Sequence, residues 1–175
     1  MDQWFIDQTR KGNVYHSHNT TAGAVTVLSA TCTGLVIENP YSSGKNLVIA
    51  RMSFTGSTLA GIAEMGVAVS SSVETSPSST VTAAVIHNGR VSGSNYNNGV
   101  GRSYSIATLA STPVWFRPLA SLRQSGGTEA DNATPALSVE FDGTVLVAPG
   151  TYICFSTLTA ARTGLCSITW AEIDE

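Results

Sequence analysis

The run Thr144–Ile173, TVLVAPGTYICFSTLTAARTGLCSITWAEI, decides how the chain folds. It reads as a strand, a Pro149-Gly150 turn and a closing pair of strands. In its last part Cys166, Ile168 and Trp170 fall on one face and Ser167 and Thr169 on the other, the period of two of a strand with one buried side. Tyr152 to Leu158 is apolar on both faces, with Ile153 and Phe155 on one and Tyr152, Cys154 and Leu158 on the other. Such a strand must be covered on both sides, by sheet or by a neighbouring subunit. The two closing strands are expected to form a central hairpin that holds the first half of the chain.

Upstream of this run the same signature recurs. Residues 24–28, 34–38 and 46–54 read as strands, the last two joined by a turn at Asn39-Pro40-Tyr41-Ser42-Ser43-Gly44 in which Gly44 supplies a positive φ. Within 46–54, Val48, Ala50, Met52 and Phe54 are expected to share the core face, with Arg51 and Ser53 opposite. Thr58–Ser70 is read as a strand despite the helical look of LAGIAEM, because Gly61 and Gly66 disfavour a helix and Val67-Ala68-Val69 favours a strand. Residues 80–87, 105–110, 114–116 and 137–142 continue the pattern, and PLASLR (118–123) allows one helical turn. Polar, turn-rich loops fill 70–79, 88–102 and 124–135. About eight to ten strands without a convincing helix predict an all-β fold, an antiparallel β-sandwich, jelly-roll-like.

Residues 1–22 look different. Trp4, Phe5 and Ile6 form an apolar patch, and TRKGNVYHSHNTTAG after it has little to pack. The segment is expected to be an N-terminal arm on a single domain spanning 23–175, with Trp4 and Phe5 either docked on a partner or folded back onto the domain's own edge.

Only 12 % of the 175 residues are charged. About twice that is usual, so the polar surface is largely Ser and Thr, and such a surface is expected to be covered by partners. Twelve acids stand against seven Arg and two Lys for a net charge of −3, with no basic run able to track a phosphate backbone; nucleic acid is not an expected ligand. No apolar run has membrane-spanning length, and the start lacks the features of a signal peptide, so no membrane is expected as a partner. Cys32, Cys154 and Cys166 have no metal-ligand spacing and are expected to be free and buried, although a Cys154–Cys166 bridge is conceivable if the closing hairpin turns near Ala160.

Few residues invite chemistry. SGKN at 43–46 lacks the first glycine and the hydroxyl residue of a phosphate loop and precedes a strand. His16 and His18 lie on one side of an extended segment but have no third ligand nearby in sequence, so no metal or other cofactor is expected. Glu140 with Asp142 offers an acid pair beside turn residues, with nothing that marks catalysis. The expectation is not an enzyme. What remains is aromatic surface: Trp4, Tyr15, Tyr41 and Tyr96, suited to sugar rings or to a protein interface.

In Asn39–Ala50, NPYSSGKNLVIA, and in the ending GTYICFSTLTAARTGLCSITWAEIDE, the chain resembles the small β-sandwich decoration, or cement, proteins of tailed-bacteriophage capsids. The resemblance implies a jelly-roll-like homotrimer on the outer surface of an icosahedral head, clamping adjacent major capsid protein subunits. The localisation it implies is the virion capsid surface, after synthesis in the host bacterial cytoplasm. On that reading Trp4, Phe5, Ile6 and Tyr15 belong to a capsid-facing arm, and Tyr152 and Phe155 to a trimer contact. The alternative is a carbohydrate- or receptor-binding appendage, a tail or head-fibre tip, contacting its glycan through the 88–102 loop and Tyr96.

Overall fold

The computed structural model describes residues 3–57, 63–91, 98–122 and 136–175. Its core is one long antiparallel hairpin rolled into two sheets. From the outside inward, β1 (Val14–His18) pairs with β12 (Arg162–Asp174), β3 (Thr31–Asn39) with β11 (Thr151–Thr157), β4 (Lys45–Gly56) with β10 (Ala136–Val147), and β5 (Ala63–Val69) with β9 (Val114–Leu122). Two further pairings, β12 with β4 and β11 with β5, close the roll. The nested pairs therefore alternate between a sheet ordered β10-β4-β12-β1 and one ordered β11-β5-β9 with β3 outside β11. This is the strand order of a jelly roll.

An insertion between β5 and β9 widens both sheets on one side. β8 (Arg102–Leu109) adds to β3 and β6 (Ser78–Ala83) adds to β8, while β7 (Val85–Asn88) adds to β1. The short β2 (Gly23–Val25) lies along the start of β12. The turns are those the residues dictate: Gly44 at φ 63° and Gly150 at φ 78° take the left-handed conformation that side chains resist.

The expected closing hairpin is not formed. β11 and β12 follow one another in sequence but enter different sheets, because each is the second half of a different nested pair. β11 sits between β3 and β5 and needs apolar residues on both faces. Ile153 and Phe155 enter the core between the sheets, and Tyr152 and Cys154 join Cys32, Val36, Tyr104 and Leu109 in a second cluster on the other face. Cys154 and Cys166 thus belong to different clusters, and all three cysteines are free and buried. Burial pushes the Cys166 thiol far up, and contact with Cys32 together with burial does the same for Cys154.

The expected alternation of β12 and β10 holds: Cys166, Ile168, Trp170 and Phe141 are core, with Leu137 and Val139 packed against it. In β4 it breaks at Ala50. Arg51 pairs with Thr169 and Ile49 with Trp170, leaving Ala50 as an extra residue. Such a bulge flips the register of faces. Met52 and Phe54 point into the core as expected, but Val48 and Ala50 lie on the outer face.

The described part of the expected arm is integral to the domain. Gln3–Lys11 forms helix α1, whose Phe5 packs with Val14, Val48 and Ala171 on the outer face of the first sheet. Arg10 and Lys11 sit in its last turn, where the helix dipole favours cations. Gly12, at φ 82°, ends it: its N–H donates to the Thr9 carbonyl (3.0 Å) and that of Asn13 to Gln8 (2.9 Å), a Schellman closure. β1 then runs between β12 and β7 inside the sheet. The segment 118–122, read as allowing a helical turn, continues β9 as strand.

One buried carboxylate fastens the insertion to this frame. Glu172, 5 % exposed, accepts the backbone N–H groups of Val100 and Gly101 (both 2.9 Å) and the Trp170 indole N–H (3.3 Å). Charge-assisted bonds of this kind leave costly orphan donors when removed. Glu172→Gln, which replaces one accepting oxygen by a donor, is expected to lower stability by about 2–3 kcal/mol, measured by urea unfolding; an unchanged midpoint refutes this role. In native protein a thiol reagent is expected to label none of the three cysteines, and in denaturant all three; fast native labelling of Cys154 or Cys166 contradicts their burial.

Candidate functional site

The outer face of the first sheet carries a row of polar side chains in register across five strands. Glu140 on β10 stands opposite Arg51 on β4, Arg51 opposite Thr169 on β12, Thr169 opposite His16 on β1, and His16 opposite His87 on β7. Directly opposed residues share a face and touch. Arg51 and Glu140 form a half-exposed ion pair, and His16 Nδ1 lies 2.9 Å from Thr169 Oγ1. The His18 ring stacks on that of His87 with centroids 5.7 Å apart and planes 17° apart. All three histidines of the chain are thus gathered on one face. Among the described residues no group of three or more His, Cys, Asp or Glu is disposed to hold a metal ion.

Helix α1 lies over one end of this face, and beside it opens a hollow of about 440 Å³. It is lined by Phe5 and Thr9 of α1 and, on the sheet, by Val14, His16, Ala50, Arg51, Thr169, Glu140 and Asp142. Two irregularities build it. The bulge at Ala50 presents two consecutive β4 residues to the same side. Across from it, β10 loops out over Phe141–Thr144 between Glu140 and Val145, with Asp142 at φ 48° and Gly143 at φ 77°. A left-handed aspartate is uncommon, and such strain collects where a side chain is being aimed.

A second surface lies along one side of the sandwich, where the free edges β9 and β10 run together, with the Arg117 guanidinium 5.1 Å from the centre of the Phe141 ring. Val114 and Phe116 of β9 stand about half exposed there, and Leu146 of β10, opposite Val48, is half exposed on the outer face of the first sheet. β9 is broken by two bulges and carries Pro118, and Trp115 lies so close over Gly66 that a Cβ there would meet its ring at 2.3 Å. Proline and bulges blunt an edge against strand addition.

The residues read as partner-binding distribute differently. Phe5, Tyr15, Tyr152 and Phe155 are buried within the chain and present no surface to a partner. Tyr15 stacks on Trp170 and donates its hydroxyl to Asn98 Oδ1 (3.1 Å). Tyr152 donates to the Ser111 carbonyl (2.9 Å), and burial pushes its pKa up to about 12. Trp4 is half-buried, edge-on to Phe5, and Ile6 is exposed on α1. Tyr96 lies outside the described residues. The sequence marked His16-Ser17-His18 but not His87 or Arg51, whose placement depends on strand order and on the bulge.

Compared with protein-family models, curated proteins and solved structures, the chain matches none.

His16 carries a testable consequence. Loss of solvation, the neighbouring His87 and Arg51 together lower its pKa from the ordinary value of 6.5. Above that value the ring is neutral in folded and unfolded chains alike. As pH falls below it the unfolded chain takes up a proton that the folded chain resists, so stability falls until the folded pKa is passed. His16→Gln is expected to flatten this part of the stability curve between pH 7 and 5, followed by thermal unfolding; a curve that keeps its slope assigns the effect elsewhere.

Proposed function

We propose that the chain is a non-enzymatic virion structural protein, a decoration or cement protein that binds the outer surface of a phage head as a homotrimer and stabilises contacts between major capsid protein subunits. The observation that carries this reading is the β9/β10 side of the sandwich, where Val114, Phe116 and Leu146 are half exposed on a chain with only 12 % charged residues. Single exposed apolar residues are ordinary, but Val114 and Phe116 on one edge strand and Leu146 on the adjoining one, on a charge-poor protein, favour a reading in which these edges are covered in an assembly. The blunted β9 edge favours association through side chains over strand addition. The jelly roll supports the reading as analogy only, since this architecture serves viral shells and lectins alike.

The physics of the proposed role is multivalency. A rigid trimer that docks one copy holds the other two at high effective concentration over neighbouring capsid subunits, so three modest contacts act as one strong attachment. Because Tyr152 and Phe155 lie inside the monomer, the trimer contact is assigned to β9 and β10. Light scattering on purified protein at micromolar concentration should give three times the monomer mass, and Phe116→Asp with Leu146→Asp should give monomers with unchanged β-sheet circular dichroism. A wild-type monomer removes the trimer from the account. Imaging of heads assembled with and without the protein tests the site itself: no extra density on the outer surface sinks the proposal.

A further inference from the structure

We infer that Asn98-Gly99 is a site of spontaneous deamidation whose product loosens the contact by which Glu172 holds the insertion, a property independent of whether the chain decorates a capsid. Where glycine follows asparagine, no side chain shields the next backbone nitrogen from the side-chain amide it can attack. The sequence has two such steps, Asn88-Gly89 and Asn98-Gly99, and the fold treats them differently. Asn88 is held at each atom the reaction needs. Its Nδ2 donates to the Gly12 carbonyl (2.6 Å), its Oδ1 accepts the Arg90 N–H (2.8 Å), and the Gly89 N–H donates to the Val14 carbonyl (2.7 Å). Attacking nitrogen and target amide are both fixed to the β1–β7 frame.

Asn98 is exposed. Among the described residues neither its Nδ2 nor the Gly99 N–H has an acceptor, while the Tyr15 hydroxyl donates to its Oδ1 (3.1 Å). Negative charge gathers on that oxygen when Cγ is attacked, so the Tyr15 proton favours the step. Gly99 is itself required, because a Cβ there would lie 2.6 Å from Glu172 Oε1 and 2.9 Å from Tyr15 Cζ. The packing that demands glycine thus leaves the nitrogen bare. Asp142-Gly143 offers a carboxylate in place of an amide, a poorer target for nitrogen.

The only co-reactant is water. Hydroxide takes the Gly99 amide proton, the nitrogen bonds to Asn98 Cγ, and the Cγ–Nδ2 bond breaks, the departing nitrogen gaining a proton from water and leaving as ammonia. The succinimide ring then adds one water across either of its C–N bonds. One opening gives aspartate; the other gives isoaspartate, in which the chain runs through the side-chain carbonyl and gains a methylene. Both place a new carboxylate directly before the residue that packs on the buried Glu172 carboxylate, and like charges brought together repel. The longer backbone also displaces Val100 and Gly101, whose N–H groups Glu172 accepts (both 2.9 Å).

The test keeps the full ¹⁵N-labelled chain in mildly alkaline buffer at body temperature and samples it over days. Tryptic peptides are expected to show the mass gain of amide-to-acid conversion at Asn98 first, assigned by fragmentation of the 91–102 peptide, with the Asn88 peptide unchanged and the rate at Asn98 falling in mild acid. In the converted protein the amides of Val100 and Gly101 are expected to exchange with solvent about tenfold faster than before, whereas Asn98→Gln, whose larger ring closes slowly, keeps its exchange rates through the same incubation. The inference is overturned if Asn98 stays an amide, if Asn88 converts as fast, if conversion leaves the two amides as protected as before, or if the Asn98→Gln chain loosens equally.

Discussion

The antiparallel pairing of β12 with β4 holds the rest of the molecule in place. It runs from Gly164 opposite Gly56 to Asp174 opposite Lys45, and both strands lie inside the first sheet. On its inner side Cys166, Ile168, Trp170, Met52 and Phe54 form much of the core. The single extra residue at Ala50 gives the same pair of strands a second, outward apolar bed of Val48, Ala50 and Ala171, onto which Phe5 of α1 settles. One bulge thus lets a sheet bury residues on both faces at one end while keeping a wet, polar row of Arg51, Thr169 and His16 at the other. The seat of the helix and the hollow beside it are laid out by where β4 changes face.

Around this frame, buried polar groups fix the long connections. Glu172 holds Val100 and Gly101. Asn39 donates to the carbonyls of Lys45 and Val147 (2.7 and 2.8 Å), tying the β3–β4 turn to the end of β10. Glu38, 3 % exposed, accepts from Ser78 and lies 3.9 Å from the Arg102 guanidinium, joining the insertion to β3. Each such contact specifies one arrangement, because its loss leaves a buried donor or acceptor unpaired. A chain poor in surface charge therefore still places its acids with care, two of them deep against the insertion that widens the sheets.

Much of the architecture was legible in the residues. The period of two in 166–170 and 137–141, the doubly apolar 152–157, and the turns at Gly44 and Gly150 led to an all-β sandwich of jelly-roll type. Strand partners were not legible, since periodicity fixes faces but not neighbours; hence the supposed hairpin of β11 and β12, and the placing of Tyr152 and Phe155 on a surface. Helix α1 does carry a signal in its residues: Phe5, Gln8 and Thr9 at helical spacing, Arg10-Lys11 in the last turn, and Gly12-Asn13 behind them. The polar residues that follow mask it, and they also mask a strand whose inward positions are Tyr15 and Ser17. The candidate site was half visible. Glu140, Asp142 and the His-x-His pair stood out, but Arg51 and Ala50 joined them only through a backbone irregularity that no alternation foretells, and His87 only through an inserted strand.

The nesting of the strand pairs also orders events in time. β1 ends at residue 18 and its partner β12 begins at 162, so during synthesis the earliest strand leaves the ribosome long before the one that covers it. β3 waits likewise for β11, and β4 for both β10 and β12. Contacts separated this far along the chain make for slow folding, and the exposed strands must be kept from one another and from neighbouring chains until the last segment arrives. For a protein of this topology, translation rate and chaperone holding become as decisive for yield as the stability of the finished sheets.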